Sequence, residues 1–222
     1  MVKGLLLDFY GTVVEDDDAV VADIAGQVAR GASTPTRAPE VVEAWQRKYA
    51  LIAEGPPFRP LRASALASLA AVLAEVGCGG DPAALCAAQF AYWRSPPLRP
   101  GSRAFLASVP VPVCVVSDAD RDDLDAAMAR HGLAFDAVVC SEDVGAYKPD
   151  RAMFDAALDA LGLAPHEVVH VGDSLRSDVA GAHAAGIRAG WVNRFGRPDT
   201  DGALAAFVLT DLSGLGPHLE QG

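Results

Sequence analysis

Nowhere does the 222-residue chain string together about 18 apolar residues, the length a membrane-crossing helix needs, so no membrane span is expected. It has no CxxC pair. Its four cysteines, Cys78, Cys86, Cys114 and Cys140, are scattered, and Cys114 and Cys140 fall in or at the end of apolar runs. That pattern points to structural thiols rather than disulfides or zinc ligands. Positive charge is scarce: 18 Lys and Arg face 29 Asp and Glu, a net charge of -11 with pI near 4.7. Nucleic acid and an anionic membrane are therefore poor partners. A small anionic substrate stays open, because a few local cations and a metal reverse the field inside a cleft. There are no internal repeats or low-complexity tracts, and Met1-Val2-Lys3-Gly4 does not begin a secretory signal. The expectation is a cytoplasmic globular protein, monomer or homodimer.

The organising stretch is Leu5-Leu6-Leu7-Asp8-Phe9-Tyr10-Gly11-Thr12-Val13. Val2 to Leu7 has the length of a buried parallel strand. Asp8 then falls at its carboxyl end, where open α/β sheets place their ligand crevice. A carboxylate there serves as nucleophile, as metal ligand, or simply as an acceptor for turn N–H groups.

Beyond it the acidic run Asp16-Asp17-Asp18 reads as a solvated helix start, with Asp18 capping a helix from Ala19. Helices are expected over Ala19–Arg30, Pro39–Glu54, Ser64–Val76 and Pro82–Trp93, the third with an apolar stripe of Leu66, Leu69, Ala70 and Leu73. After Pro97 the pattern becomes strand–helix: strands at Val111–Val116, Phe135–Cys140, Glu167–Val171, Arg188–Val192 and Ala206–Leu209. Helices fall at Asp122–His131, Arg151–Leu161 and Ser177–Ala185, and Ser141–Pro149 is a loop. The fold class is α/β: a mainly parallel sheet with an all-helical insertion after the first strand. The expected boundaries are 1–15 and 98–222 for the core and 16–97 for the helical cap.

Parallel strands open on one edge, so Asp8, Ser117, Lys148, Asp173 and Asp178 are expected in one crevice. Carboxylates crowded together favour a cation, and oxygen ligands without His or Cys suggest Mg²⁺. His170, inside Val168-Val169-His170-Val171, reads as a satisfied core histidine, and Asp118 as a loop cap.

Four segments, in this order, resemble the motifs of the haloacid dehalogenase (HAD) superfamily: Asp8-Phe9-Tyr10-Gly11-Thr12, Val115-Val116-Ser117, Lys148-Pro149-Asp150, and Gly172-Asp173-Ser174-Leu175-Arg176-Ser177-Asp178. The resemblance implies a Rossmann-like core with a helical cap. It makes Asp8 the nucleophile, lets Ser117 bind the transferring group, and has Lys148 neutralise charge. Thr12 lends its hydroxyl or N–H. Asp8, the backbone carbonyl of Tyr10 and Asp173 hold Mg²⁺, with Asp178 on metal-bound water or on Lys148. One departure matters. HAD phosphatases carry a second Asp where this chain has Tyr10, and a Tyr there is typical of the metal-free 2-haloacid dehalogenases. Those enzymes lack an acid at the place of Asp173 and have Asn where this chain has Leu175. A Mg²⁺-dependent phosphatase of small phosphorylated metabolites is the leading expectation, because losing a general acid costs about 10²–10⁴-fold without abolishing phosphoryl transfer. Carbon–halogen hydrolysis is the alternative, and a catalytically weak binding protein the third. Arg47, in a segment similar to the one where dehalogenases hold the substrate carboxylate, and Arg59 are the candidate substrate readers.

Overall fold

The computed structural model describes residues 2–53, 55–199 and 204–220. Six short strands form one sheet: β1 (Gly4–Leu7), β2 (Val113–Ser117), β3 (Ala137–Cys140), β4 (Val168–Gly172), β5 (Arg188–Val192) and β6 (Phe207–Leu209). All pairings are parallel, in the order β3-β2-β1-β4-β5-β6. Every residue of β1, β2 and β4 is buried, which is why these strands read as unbroken apolar runs instead of alternating ones. The order of β1 to β4 reverses between β1 and β2 on one side and β1 and β4 on the other, the position at which such sheets open a crevice at their carboxyl ends.

The helices are α1 (Asp18–Gly31), α2 (Ala38–Ala53), α3 (Leu61–Val76), α4 (Pro82–Trp93), α5 (Ser102–Leu106), α6 (Arg121–His131), α7 (Ser141–Val144), α8 (Arg151–Leu161), α9 (Gly181–Ala184) and α10 (Gly216–Glu220). Four differ from expectation: the short α5 and α10 had no counterpart in the sequence reading, and two more depart from it in form. Ser141–Val144 is a single helical turn where a loop was expected, and the helix expected over Ser177–Ala185 is split. A wide, π-helical turn covers Leu175–Ala180 before α9 begins. No described helix is long and apolar enough to cross a membrane.

The chain divides into two compact units. The first, Met1–Asp16 with Pro97–Asp118 and His131–Gly222, contains the sheet. Its core packs Leu6, Val116, Met153, Phe154, Val179 and Trp191. The second, Asp17–Pro96 with Ala119–Arg130, is helical and centres on Ile24, Val28, Trp45, Leu69 and Val72. The buried stripe of α3 is Ala65, Leu69, Val72, Leu73 and Val76, while Leu66 is half-buried and the expected Ala70 faces solvent. Trp45 is core, its indole N–H donating to Ser68 Oγ at 2.9 Å.

Asp18 is not the cap of α1. The helix begins at Asp18, and Asp17, which precedes it, makes no side-chain cap hydrogen bond to the first turn. Asp17 Oδ2 instead accepts from Gln89 Nε2 and Trp93 Nε1, both at 2.7 Å. Burial raises its carboxyl above the ordinary range, against the pull of those two donors. The start of α6 is bolted to α3. Asp120 accepts the free N–H groups of Leu61 and Arg62 at 2.5 and 3.0 Å, and buried Asp123 takes both arms of the Arg62 guanidinium.

None of the four cysteines is in a disulfide; burial pushes Cys86 up to about 11 and Cys114 up to about 12. Cys86 and Cys114 are buried packing groups whose raised thiols are poor nucleophiles.

Candidate active site

Asp8 leaves the end of β1 with its N–H bonded to Val171 O at 2.9 Å, so β4 fixes its backbone. The next residues close a tight loop: Val13 and Val14 donate to Phe9 O at 2.8 and 3.0 Å, and Gly11 N–H returns to Val14 O at 2.9 Å. Gly11 sits at φ +85, and a Cβ on it would stand 2.9 Å from the Asp173 carboxyl. Only glycine allows that carboxyl to rest on the loop. A second strand of chain ties the loop down. Arg99 donates its N–H to Val13 O at 3.1 Å and its buried guanidinium to Gly11 O.

Lys148 reaches the same place from the loop after α7. Its backbone N–H donates to Asp118 Oδ1 at 2.8 Å, and two residues on, Asp150 caps α8 through Ala152 N–H at 2.9 Å. That explains the local sequence Lys-Pro-Asp: the Asp starts a helix while the Lys, just before it, turns inward. The ammonium is buried between Asp8 Oδ1 at 2.7 Å and Asp178 Oδ1 at 2.6 Å.

The fourth segment builds its own frame. Ser174 Oγ accepts from Ser177 N–H at 3.1 Å, while Ser174 N–H donates to Asp178 Oδ2 at 3.0 Å. The π-helical turn brings Asp178 back against β4 so closely that a Cβ on Gly172 would lie 2.2 Å from Asp178 Cγ. Asp173 is steadied from β5 and the loop beyond it. Its carbonyl accepts from Trp191 Nε1 at 2.9 Å and Arg197 Nη2 at 3.1 Å, with the guanidinium 3.7 Å from Asp173 Oδ2.

One oxygen each of Asp8, Asp173 and Asp178 lies within 4.8 Å of the others. The Lys148 ammonium bonds Asp8 and Asp178, while Asp173 has the Arg197 guanidinium 3.7 Å away, and the titration behaviour follows. Burial raises Asp8 above the ordinary carboxylate range; Lys148 opposes the rise and the charge on Asp178 adds to it. Burial and the charges of Asp8 and Asp178 push Asp173 up to about 8. Asp178 goes the other way: burial would raise it, but Lys148 and His170 hold it well below the usual range. Burial would lower Lys148, yet Asp178, Asp8 and Asp118 outweigh it and raise the ammonium. Asp118 is lifted to about 7 by burial, against the pull of Lys148. Among the described residues Asp8 Oδ2 and Thr12 Oγ1 are buried without a hydrogen-bond partner of normal geometry, although Thr12 is near enough to Asp8 to lower its carboxyl slightly. An unpaired carboxylate oxygen beside two further carboxylates is a donor set that suits a hard divalent cation.

The structure therefore brings Asp8, Lys148, Asp173 and Asp178 together, with buried Thr12 in the loop after Asp8 and buried Ser117 at the end of β2. Tyr10 is half-buried in the same loop, its ring edge-on to Phe9 at 5.2 Å. Arg47, exposed on α2, lies 3.8 Å from Glu43, and Arg59 is exposed just before α3; both belong to the helical unit. Three contributors escaped the sequence reading. Arg99 had no motif to mark it, and Arg197 follows a strand whose loop looked ordinary. His170 was expected to be satisfied, but its Nε2 stands 3.0 Å from Asp178 Oδ1 and its Nδ1 has no partner among the described residues. The one signal for it was a polar residue interrupting a buried apolar run.

With this geometry in hand, comparison with known proteins is specific. Over 136 residues, 58% of the chain, it is 39% identical to a phosphoserine phosphatase of Thermus thermophilus, and it spans about half (53%) of that protein's length. Over 203 residues, 87% of the chain and 76% of the relative, it is 27% identical to an (S)-2-haloacid dehalogenase of Xanthobacter autotrophicus. The solved structure of the L-2-haloacid dehalogenase from Xanthobacter autotrophicus superposes with a TM-score of 0.76 at 25% identity, covering 100% of this chain and 99% of that one. A family model for haloacid dehalogenase-like hydrolases matches residues 2–186, and to that family of hydrolases the chain belongs.

Proposed function

We propose that this hydrolase is a Mg²⁺-dependent phosphatase acting on a small phosphorylated metabolite, with Asp8 as nucleophile. The observation that carries the reading is the cluster of Asp8, Asp173 and Asp178, two of them on the Lys148 ammonium, with Asp8 Oδ2 buried and unpaired among the described residues. Asp8, Asp173, the Tyr10 carbonyl and, directly or through water, Asp178 would hold the cation. Bound there, Mg²⁺ would neutralise charge on the phosphoryl oxygens.

The chain's own residues do the rest. Lys148 holds Asp8 Oδ1 in place and keeps its proton, so it offsets charge and does not act as a base. An Asp8 oxygen bonds to phosphorus as the bond from phosphorus to the ester oxygen breaks, and the electron pair leaves with that oxygen. Water then attacks the aspartyl phosphate, releasing phosphate and restoring the carboxylate. Ser117 and Thr12 supply hydroxyls to the transferring group. No carboxylic acid stands at position 10 to protonate the leaving oxygen, so aryl phosphates should outpace alkyl phosphates by about 10²–10⁴-fold.

Two observations favour a second reading, hydrolysis of a carbon–halogen bond: Tyr10 itself, and the similarity to a haloacid dehalogenase over most of the chain. The charges near Asp8 count against it. A halide or a haloacid carboxylate would have to enter beside Asp173 and Asp178, and Asp118 stands after Ser117 where the family often has Asn. The test is turnover of p-nitrophenyl phosphate, sugar and nucleotide phosphates and short L-2-haloacids, with and without Mg²⁺, using Asp8→Asn as control. Phosphate release that needs both Mg²⁺ and Asp8 is the expected result. Halide release indifferent to Mg²⁺ would replace this reading with the second.

A further inference from the structure

β4 lies between β1 and β5, and its side chains alternate between the two faces of the sheet. Val169 and Val171 take one face, while His170 and the side-chain-free Gly172 take the other. His170 is fully buried and T-shaped against Phe154, their ring centroids 5.2 Å apart. A residue there for packing alone would be apolar, like its neighbours. His170 instead puts two ring nitrogens into the core, and only one of them finds a partner. Half-satisfied polar groups in a core are destabilising exceptions that call for a reason.

The partner supplies the reason. Asp178 receives three donors from three separate segments: Lys148 Nζ at 2.6 Å and His170 Nε2 at 3.0 Å on Oδ1, and Ser174 N–H at 3.0 Å on Oδ2. A carboxylate that accepts from an ammonium offers only lone pairs. The imidazole nitrogen facing it must therefore be N–H, and the nitrogen left without a partner among the described residues is Nδ1. We propose that His170 is a positioning residue of this site: its Nε2–H fixes Asp178, which aligns Lys148 and, through it, Asp8. The proposal rests on Asp8 and Lys148 working as a pair and holds for either electrophile.

The experiment compares His170→Gln with His170→Met in the full-length protein. Gln puts an amide N–H close to the place of Nε2, and Met fills similar space with no donor. Steady-state kinetics are measured on whichever substrate the wild type turns over, alongside melting curves. A long-range ¹H–¹⁵N correlation spectrum of the wild type is also recorded, with the His170 signals identified by their loss in His170→Gln. The expected outcome is that Gln keeps most of kcat while Met loses roughly 10–100-fold. KM should be little changed, both proteins should melt alike, and the wild-type ring should show Nε2–H. Equal kinetics for Gln and Met, whether both active or both impaired, would overturn the proposal, and so would an Nδ1–H ring. If the wild type hydrolyses no phosphate ester, the proposed function fails on its own account, and the tautomer still decides the role of His170.

Discussion

Replacing Asp173 with Asn turns the charge argument into a stability measurement. In the folded chain this carboxyl titrates at about 8, driven by burial and by the charges of Asp8 and Asp178. An unfolded Asp titrates near 3.9. Between those values the folded protein keeps a proton that the unfolded chain has lost. Stability therefore falls as pH rises from about 4 to about 8 and levels off above. A shift from 3.8 to about 8 caps the cost of ionising Asp173 at about 6 kcal/mol. With 27% of the side chain open to solvent, a working value is about 2 kcal/mol.

Asn has the same shape and does not titrate. Without metal, Asp173→Asn should match the wild type near pH 4, where the fall begins, and exceed it by about 2 kcal/mol at pH 8.5, roughly 4–8 °C in Tm for a chain of this length. Mg²⁺ should reverse the order, adding about 2.7 kcal/mol to the wild type at a hundredfold excess over Kd and little to a variant missing one ligand. The assay is thermal unfolding in EDTA and in Mg²⁺ at both pH values. If Asp173→Asn melted at or below the wild type in EDTA at pH 8.5, the carboxylates would not be in conflict without a cation, and the reasoning would fail.

Lys148→Met should cost about 3–5 kcal/mol by denaturant unfolding, because Asp8 and Asp178 lose the buried cation they share, and turnover should vanish with it. In the helical unit, Arg62→Ala should cost about 2 kcal/mol, since Asp123 is 2% exposed and would keep only Arg94 at 3.1 Å. Arg62→Lys should recover part of this loss, as one ammonium cannot reproduce the two-armed contact. Arg47→Ala and Arg59→Ala should each alter the ranking of substrates in a phosphate panel while leaving Tm nearly unchanged, both side chains being exposed. An unaltered ranking would remove them as substrate readers.

The sheet was legible because each strand is a short apolar run ended by a polar residue or glycine, and longer helices between them carry stop and start signals such as Gly77 after α3 and the caps Asp81 and Asp150. What failed to show was structure too short to have a period. The four residues of α7 and the five of α5 carry no helical repeat to detect. The π-helical turn after β4 is likewise invisible to a 3.6-residue pattern, although it decides where Asp178 points.

Polar residues were legible when their role depends on the strand they end, and illegible when it depends on a distant partner. Asp8 and Asp173 follow from register alone: parallel strands share an edge, so residues at their carboxyl ends converge. Asp17 could not be told from Asp16 or Asp18 within one acidic run. What singles it out is a pair of donors, Gln89 and Trp93, more than seventy residues away. The same holds for Arg99, whose guanidinium ties down a loop eighty-eight residues earlier in the chain. His170 is the sharper case, because its partner Asp178 is only eight residues away. A regular helix starting at Ser177 places no carboxylate against β4. A wide turn wound from Ser174 does, and Gly172 leaves the room for it. The glycine, the serine and the aspartate of one motif thus act as a single device that aims a carboxylate at Lys148. A buried histidine facing that carboxylate belongs to the device even though no spacing rule includes it.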